Sequence, residues 1–265
     1  MHNESFRLLG LDYVYLCFDV NEETLPAAVA GLKTCGIRGF NLTMPNKNKI
    51  VELLDELSPE AQLIGAVNTV LNDNGKLIGY NTDGYGFMQS VRDAGHDITG
   101  KNITVMGVGG ASMAICAQSA LDGAASVHIF ARRTSRYWNR TQKFAENLSA
   151  KTGCQVCLFD NDDHTALRDS IAQSYLLINA TSVGMVPDID DTIIKDTSLF
   201  HPELVVADVV YEPQETRLLR EAKAAGCQTF NGMYMLLHQG AKAFQIWTGQ
   251  EMPVSVIKEK YFSVK

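Results

Sequence analysis

Two residues of this chain could do acid–base chemistry together. Lys47 follows the run Asn41-Leu42-Thr43-Met44-Pro45-Asn46, and Asp83 follows Asn81-Thr82 and precedes Gly84. An ammonium and a carboxylate brought to one place can donate a proton and orient the group that receives it. Arg38-Gly39-Phe40-Asn41-Leu42-Thr43 reads as a strand. Pro45 then stops pairing, because it has no N–H for a ladder and its φ is fixed. Lys47 therefore falls at a strand-to-helix bend, before Ile50-Val51-Glu52-Leu53-Leu54, where a lysine can point into a cleft. The ordinary alternatives are a solvated lysine at a helix start and an aspartate that caps a helix. The rest of the chain favours the site over those alternatives.

A second motif is Gly107-Val108-Gly109-Gly110-Ala111, between the apolar run Ile103-Thr104-Val105-Met106 and a small-residue helix from Ser112 to Leu121. Glycines let a backbone turn sharply and approach a pyrophosphate, whose charge is stabilised by the helix N-terminus. Against the G-x-G-x-x-G fingerprint, Ser112 stands in place of the third glycine. The second strand of such a unit ordinarily ends in an acid that holds the ribose of NAD. Here Ala131 is followed by Arg132, Arg133 and Arg136. Guanidinium groups bind a 2′-phosphate by charge-assisted hydrogen bonds, so the motif points to NADP, with NAD possible.

Other candidates lead elsewhere. Cys154 and Cys157 bracket a strand and face opposite ways, which does not suit a metal. No His, Cys or Asp cluster has metal-ligand spacing, so no metal site is expected. His128 lies in an apolar strand and reads as structural, and His238 lies beside Gln239. Tyr137 and Trp138 read as surface or packing residues, with stacking near the adenine as the alternative, and Met233 and Met235 as packing residues, with cofactor contact next to Gly232 as the alternative.

The elements that must position these residues follow from pattern. Tyr13 to Val20 reads as a strand by its aromatic and β-branched content. A helix from Leu25 to Cys35 is closed by Gly36, and a further helix runs to about Leu57. Gly65 to Leu71 and Lys76 to Asn81 flank Asn74-Gly75, a strong hairpin signal that brings Asn68 and Asp83 to the same end of a sheet. A helix from Tyr85 to Asp93 ends at Gly95, and 96–101 is a polar connector. Beyond it strands and helices alternate, the pattern of a parallel sheet. Strands at Val127–Phe130, Val156–Phe159, Leu176–Ser182 and Val205–Tyr211 precede a helix Glu215–Ala225 and a long apolar helix Met233–Trp247. The expected fold is α/β with two domains, a Rossmann-type parallel sheet plus a smaller α/β domain.

Composition narrows the function classes. The 265 residues suffice for two domains, and 46% apolar content supplies an ordinary core. A net charge of −7 with no basic run argues against nucleic-acid and anionic-membrane surfaces. No apolar stretch approaches the ~20 residues of a membrane span. The polar start Met1-His2-Asn3-Glu4 is no signal peptide, and the scattered cysteines suit a reducing cytoplasm. A small-molecule substrate and a monomer or homodimer are expected.

Taken together, Asn41–Lys47, Gly65-Ala66-Val67-Asn68-Thr69, Gly79-Tyr80-Asn81-Thr82-Asp83-Gly84, Gly107–Ala111, Asn179-Ala180-Thr181-Ser182-Val183-Gly184-Met185, Asp208-Val209-Val210-Tyr211-Glu212-Pro213 and Met235–Gly240 cover nearly the whole chain. In these motifs and their order the chain resembles the shikimate dehydrogenase family, and within it most closely the quinate/shikimate dehydrogenase branch. The resemblance implies a substrate-binding catalytic domain at 1–100, with 233–265 returning to it, and an NADP-binding Rossmann domain at 101–232. It implies that Lys47 and Asp83 are the catalytic pair. Thr43, Asn68, Tyr211 and Gln239 would bind substrate. Gly107, Gly109, Gly110, Ala111, Arg132, Arg133, Arg136, Thr181, Val209 and Gly232 would bind the dinucleotide. The family's arginine clamp usually begins with asparagine, and the branch that accepts NAD has an aspartate where Thr134 stands; this chain has Ala131 and Thr134.

The implied activity is an NADP-dependent oxidoreductase interconverting 3-dehydroshikimate and shikimate in the chorismate pathway of aromatic amino-acid biosynthesis. Ketone reduction builds negative charge on oxygen, which an ammonium stabilises and protonates. Two other readings keep the fold: a quinate/shikimate dehydrogenase using NAD, and a non-catalytic nucleotide-binding regulatory protein. Relatives also begin with a strand and a Ser-x-Ser-Pro-x-Met-His-Asn segment, whereas this sequence opens at Met1-His2-Asn3. The resemblance therefore carries an expectation that about 20 further residues, a strand with its loop and the two serines, precede Met1 in the natural chain.

Overall fold

A computed structural model describes residues 1–262. The last three residues of the segment 233–265 lie outside the described residues. The chain divides into two compact units, one comprising Met1–Gly86 with Leu236–Lys265 and the other Phe87–Met235.

The first unit opens with α1 (His2–Leu8) and α2 (Leu25–Thr34), followed by β1 (Gly39–Asn41), α3 (Asn46–Lys49) and a 3₁₀ turn at Ile50–Leu53. Next come β2 (Glu56–Leu57), α4 (Pro59–Ile64), β3 (Thr69–Asp73), β4 (Lys76–Tyr80) and the start of α5 (Asp83–Asp93). The sheet order is β1-β3-β4-β2, with β2 parallel to β4 and the other pairs antiparallel. The β3–β4 hairpin forms where Asn74-Gly75 predicts it. Both residues have positive φ, 52° and 93°, the demand of a type I′ turn that few residues other than Asn and Gly meet. Leu25, Val29, Ile50, Ala61, Val67, Val70 and Leu77 close this unit's core.

The second unit alternates β5 (Asn102–Met106), α6 (Gly110–Leu121), β6 (Ser126–Ala131), α7 (Trp138–Thr152), β7 (Gln155–Asp160), α8 (His164–Gln173), β8 (Leu176–Asn179), β9 (Val205–Asp208), α9 (Arg217–Ala224) and β10 (Gln228–Phe230). All six strands run parallel in the order β10-β9-β8-β5-β6-β7. Strands buried on both faces explain the unbroken apolar runs of β5, β8 and β9. The chain leaves β5 toward β6 on one side and returns at β8 on the other. The β5/β8 junction is therefore the switch point where such sheets bind ligands, beyond the strands' carboxyl ends. Helices α10 (Met233–Thr248) and α11 (Val254–Tyr261) complete the chain. Within the first unit, Trp247 Nε1 donates to Val70 O at 2.9 Å and Arg38 Nε donates to Trp247 O at 2.9 Å, which ties α10 to the sheet.

Three expectations are corrected. Residues 11–20 form no strand. The strand β1 at the sheet's end pairs only with β3, so the segment has no ladder, and Val14, Leu16 and Phe18 are exposed at 70%, 61% and 67%. Side chains hold it instead: Asn3 bonds both backbone groups of Tyr15, and Asn46 Nδ2 donates to Val20 O at 2.7 Å. Strand propensity without a neighbour does not make a strand. The helix expected to reach Leu57 stops at Leu53, because Asp55 bonds Leu77 and draws Glu56–Leu57 alongside β4. The first division between units falls within α5 and not at the connector 96–101. Phe87, Met88 and Val91 are buried, and Phe87 packs on Phe230 at 6.1 Å between ring centroids.

Candidate active site

In the first unit, the end of β1 and the short α3 present Lys47, and the first turn of α5 presents Asp83. Lys47 Nζ donates to Asp83 Oδ2 at 2.6 Å, with the side chains 23% and 10% exposed. The other carboxylate oxygen, Oδ1, accepts from Asn68 Nδ2 at 2.8 Å. Each partner is fixed in turn. Lys47 O accepts from Val67 N at 2.8 Å, and Asp83 N donates to Asn81 Oδ1 at 3.1 Å. The Asn68 Oδ1 atom accepts from the Thr82 N–H at 2.9 Å and from the Thr69 hydroxyl at 3.0 Å. Asn68 is buried, so its amide orientation is set by these bonds and not by solvent.

Two more of the predicted residues share this surface. Gln239, on α10, approaches Asn68 with Oε1 3.4 Å from Nδ2. Thr43 is exposed at the end of the strand, and its carbonyl accepts from Asn46 N at 3.0 Å, closing the bend that aims Lys47. The structure thus brings Lys47, Asp83, Asn68 and Gln239 into one hydrogen-bonded chain. Sequence reasoning missed two supports. Asn41 Nδ2 donates to Asn68 O at 3.1 Å, and Asn81 aligns the Asp83 backbone. Asn-x-Asp at a helix start is the local signal for the second.

The second unit carries the remaining residues. Gly107 follows β5 with φ 113°, and a Cβ there would lie 2.8 Å from Thr181 Cγ2 and 3.0 Å from Ala180 O. Only glycine permits that conformation together with that approach. At Gly109 and Gly110 a Cβ would meet nothing within 4 Å, so these two keep the backbone at the N-terminus of α6 bare and approachable. Ser112, in place of a third glycine, is fully buried and its hydroxyl donates to Gly107 O at 2.6 Å. The substitution therefore braces the turn. Ala111 lies in the first turn of α6. A backbone open at a twelve-residue helix N-terminus fits a dinucleotide pyrophosphate.

Arg132, Arg133 and Arg136 follow β6, all exposed. Arg133 lies over the Trp138 ring at 4.8 Å and Arg136 over the Tyr137 ring at 4.7 Å. Tyr137 and Trp138 thus pre-order two of the three guanidinium groups. Thr181 follows β8, and its N–H and hydroxyl both donate to Asn179 Oδ1, at 3.1 and 2.7 Å. Val209 follows β9. A Cβ at Gly232 would fall onto the Val209 carbonyl, so glycine is what allows 232 to pass so close. Tyr211 is 46% exposed on the loop after β9. Among the described residues, no group of three or more His, Cys, Asp or Glu is arranged to hold a metal ion. Burial lowers the His128 pKa, and its ring bonds Ser170 Oγ at 2.9 Å within the second unit.

The profile for the shikimate dehydrogenase substrate binding domain matches residues 1–70, and that for the shikimate 5′-dehydrogenase C-terminal domain matches 232–260. A Listeria innocua protein named shikimate dehydrogenase (NADP(+)) is 52% identical over 262 residues, covering 99% of this chain and 90% of its own length. The chain belongs to the shikimate dehydrogenase family. The solved Listeria monocytogenes shikimate 5-dehydrogenase, in complex with shikimate and NAD, superimposes with a TM-score of 0.94 at 51% identity, covering 97% of this chain and 89% of that one. The Thermus thermophilus enzyme of the family, in complex with NADP(H) and shikimate, gives 0.80 at 35% identity, covering 97% and 90%. Family membership and the two-sheet α/β fold therefore agree.

Proposed function

We propose that the protein is an NADP-dependent oxidoreductase that interconverts 3-dehydroshikimate and shikimate, the first unit taking the substrate and the second the dinucleotide. The observation that carries this reading is the Lys47–Asp83 pair joined to Asn68 and Gln239, in a chain half identical to enzymes of that name.

In the reductive direction, charge grows on the substrate's carbonyl oxygen. Lys47 stabilises that charge and delivers the proton. Asp83 holds the ammonium in position and keeps it from wandering into solvent. Thr43, Asn68 and Gln239 offer neutral donors and acceptors suited to a polyol. In the oxidative direction Lys47 receives the proton and Asp83 orients the hydroxyl. The bound nicotinamide supplies or accepts the hydride. Gly107, Gly109, Gly110 and Ala111 would hold the pyrophosphate, Arg132, Arg133 and Arg136 the 2′-phosphate and adenine side, and Thr181, Val209 and Gly232 the nicotinamide side.

We place the enzyme in the cytoplasm, as a monomer or homodimer. Its six cysteines are all free thiols, and among the described residues no helix is long and apolar enough to cross a membrane. The second reading, NAD with shikimate or quinate, is favoured by the NAD held in the Listeria monocytogenes enzyme and by Ala131, which stands where the family's NADP clamp usually begins with asparagine. Steady-state turnover with NADP and NAD, each against shikimate and quinate, tests the assignment. A dominant rate with NADP and shikimate is expected, and a dominant rate with quinate would overturn it.

A further inference from the structure

Three buried polar side chains lie under the carboxyl edge of the parallel sheet, outside the residues assigned above. Asn179 ends β8, Asp208 ends β9 opposite it in register, and Thr216 caps α9; their exposures are 1%, 0% and 1%. Asp208 Oδ1 accepts from Asn179 Nδ2 at 3.0 Å and from Val210 N at 3.0 Å, and Oδ2 accepts from the Thr216 hydroxyl at 2.8 Å. A buried carboxylate carries a large desolvation cost unless its oxygens are bonded. Here three donors meet it, while burial still pushes its pKa up.

The outward ends of this cluster reach the residues read as touching the dinucleotide. Asn179 Oδ1 accepts both donors of Thr181, and its Nδ2 also donates to Val183 O at 3.1 Å. Asn179 O accepts from Val209 N at 3.0 Å, and Gly232 N donates to Val210 O at 3.3 Å. The cluster thus fixes the loop carrying Thr181, which abuts the Gly107 turn, and the loop carrying Val209, which abuts Gly232. An apolar core residue at 208 would fill the space but bond none of these loops. Fully satisfied polar networks specify one geometry where apolar packing tolerates several.

We propose that Asp208, through Asn179 and Thr216, is a positioning residue for the dinucleotide: it sets the Thr181 and Val209 loops against the two glycine approaches so that the nicotinamide side is pre-formed. The inference rests on the assignment of those loops to the cofactor.

The test compares wild type with Asp208→Ala, Asp208→Asn and Thr216→Val, using NADPH fluorescence for Kd and steady-state kinetics for kcat and both KM values. Asp208→Ala leaves the Asn179 amide and the Val210 N–H without their acceptor, so the NADPH Kd is expected to rise on the order of tenfold while the KM for shikimate stays within about twofold. Asn keeps the shape and can still accept from Asn179, so Asp208→Asn should restore binding to within about threefold of wild type. A folded Asp208→Ala protein that binds NADPH as wild type does, or that loses cofactor and shikimate equally, overturns the inference. If that variant does not fold, Thr216→Val removes one bond at nearly constant volume and is held to the same two criteria. Wild-type protein that fails to bind NADPH would instead remove the cofactor assignment, and this inference with it.

Discussion

The Lys47 ammonium sits 2.6 Å from Asp83 Oδ2 while Asn68 holds the opposite oxygen at 2.8 Å. One carboxylate is therefore clamped from both sides, by a cation that can give a proton and by an amide that cannot. The pair joins two elements far apart in sequence, and the hairpin β3–β4 supplies the link by returning the chain from Asn68 to Asp83.

Lys47→Ala removes the proposed proton donor and leaves the second unit, proposed to hold the dinucleotide, untouched. Turnover is expected to fall roughly 10²–10⁴-fold, with the NADPH Kd unchanged. Rapid-mixing kinetics and fluorescence titration measure the two quantities separately. Near-wild-type turnover in the folded variant would take Lys47 out of the mechanism.

Much of the site was legible because its residues stand at punctuated positions. Pro45 and Asn74-Gly75 announce where strands end and turn, and glycines at 107, 109 and 110 announce a bare backbone before a helix. Strands buried on both faces read as apolar runs. The part that was not legible depends on partners distant in sequence. Tyr13–Val20 has strand composition but no ladder, and Asp55 ends a helix early by bonding Leu77. Short β2 and β10 exist only because β4 and β9 offer edges. Asn179 and Asp208 look like ordinary polar strand ends, and only the register of β8 on β9 brings them together.

Cofactor choice is expected to rest on Arg132 and Arg136. Replacing both with alanine removes two cations from the proposed 2′-phosphate site, and NAD has no such phosphate. KM for NADP should rise at least tenfold, a loss of ~1.4 kcal/mol or more, with the KM for NAD little changed. Equal losses for the two cofactors would show that these arginines act on the fold or on the shared pyrophosphate.

Gly39 is a stability prediction. A Cβ on it would fall inside the Trp247 indole and 2.5 Å from Val70 O, the atom that Trp247 Nε1 bonds. Gly39→Ala should push the indole off Val70 and loosen α10 from the sheet. The expected cost is about 2–4 kcal/mol, from overpacking plus a buried donor left unpaired. Chemical denaturation measures it, and a change below about 0.5 kcal/mol would mean that α10 shifts without cost.

His2 gives the pH dependence. It is 6% exposed, packed among Phe6, Tyr15, Phe244 and Trp247, and its Nδ1 has no hydrogen-bond partner. Burial lowers its pKa from 6.5 to about 4. Above pH 6.5 both folded and unfolded chains carry it neutral, and its contribution is complete. As pH falls from 6.5 toward 4 the unfolded chain binds the proton and the folded chain does not, so stability is lost across that window. The shift corresponds to roughly 3 kcal/mol in all, about 2 of it between pH 7 and pH 5. Burial lowers His96 and His128 in the same direction. Glu4, held at about 2 by hydrogen bonds from Arg7 and Lys260, keeps its contribution above the ordinary carboxylate range and loses it as pH falls from that range toward 2. His2→Phe keeps the ring and removes the titration. Urea denaturation at pH 7, 6 and 5 should show a clear fall for the wild type and a shallower one for the variant. Parallel curves for the two proteins would show that His2 is not the group that titrates.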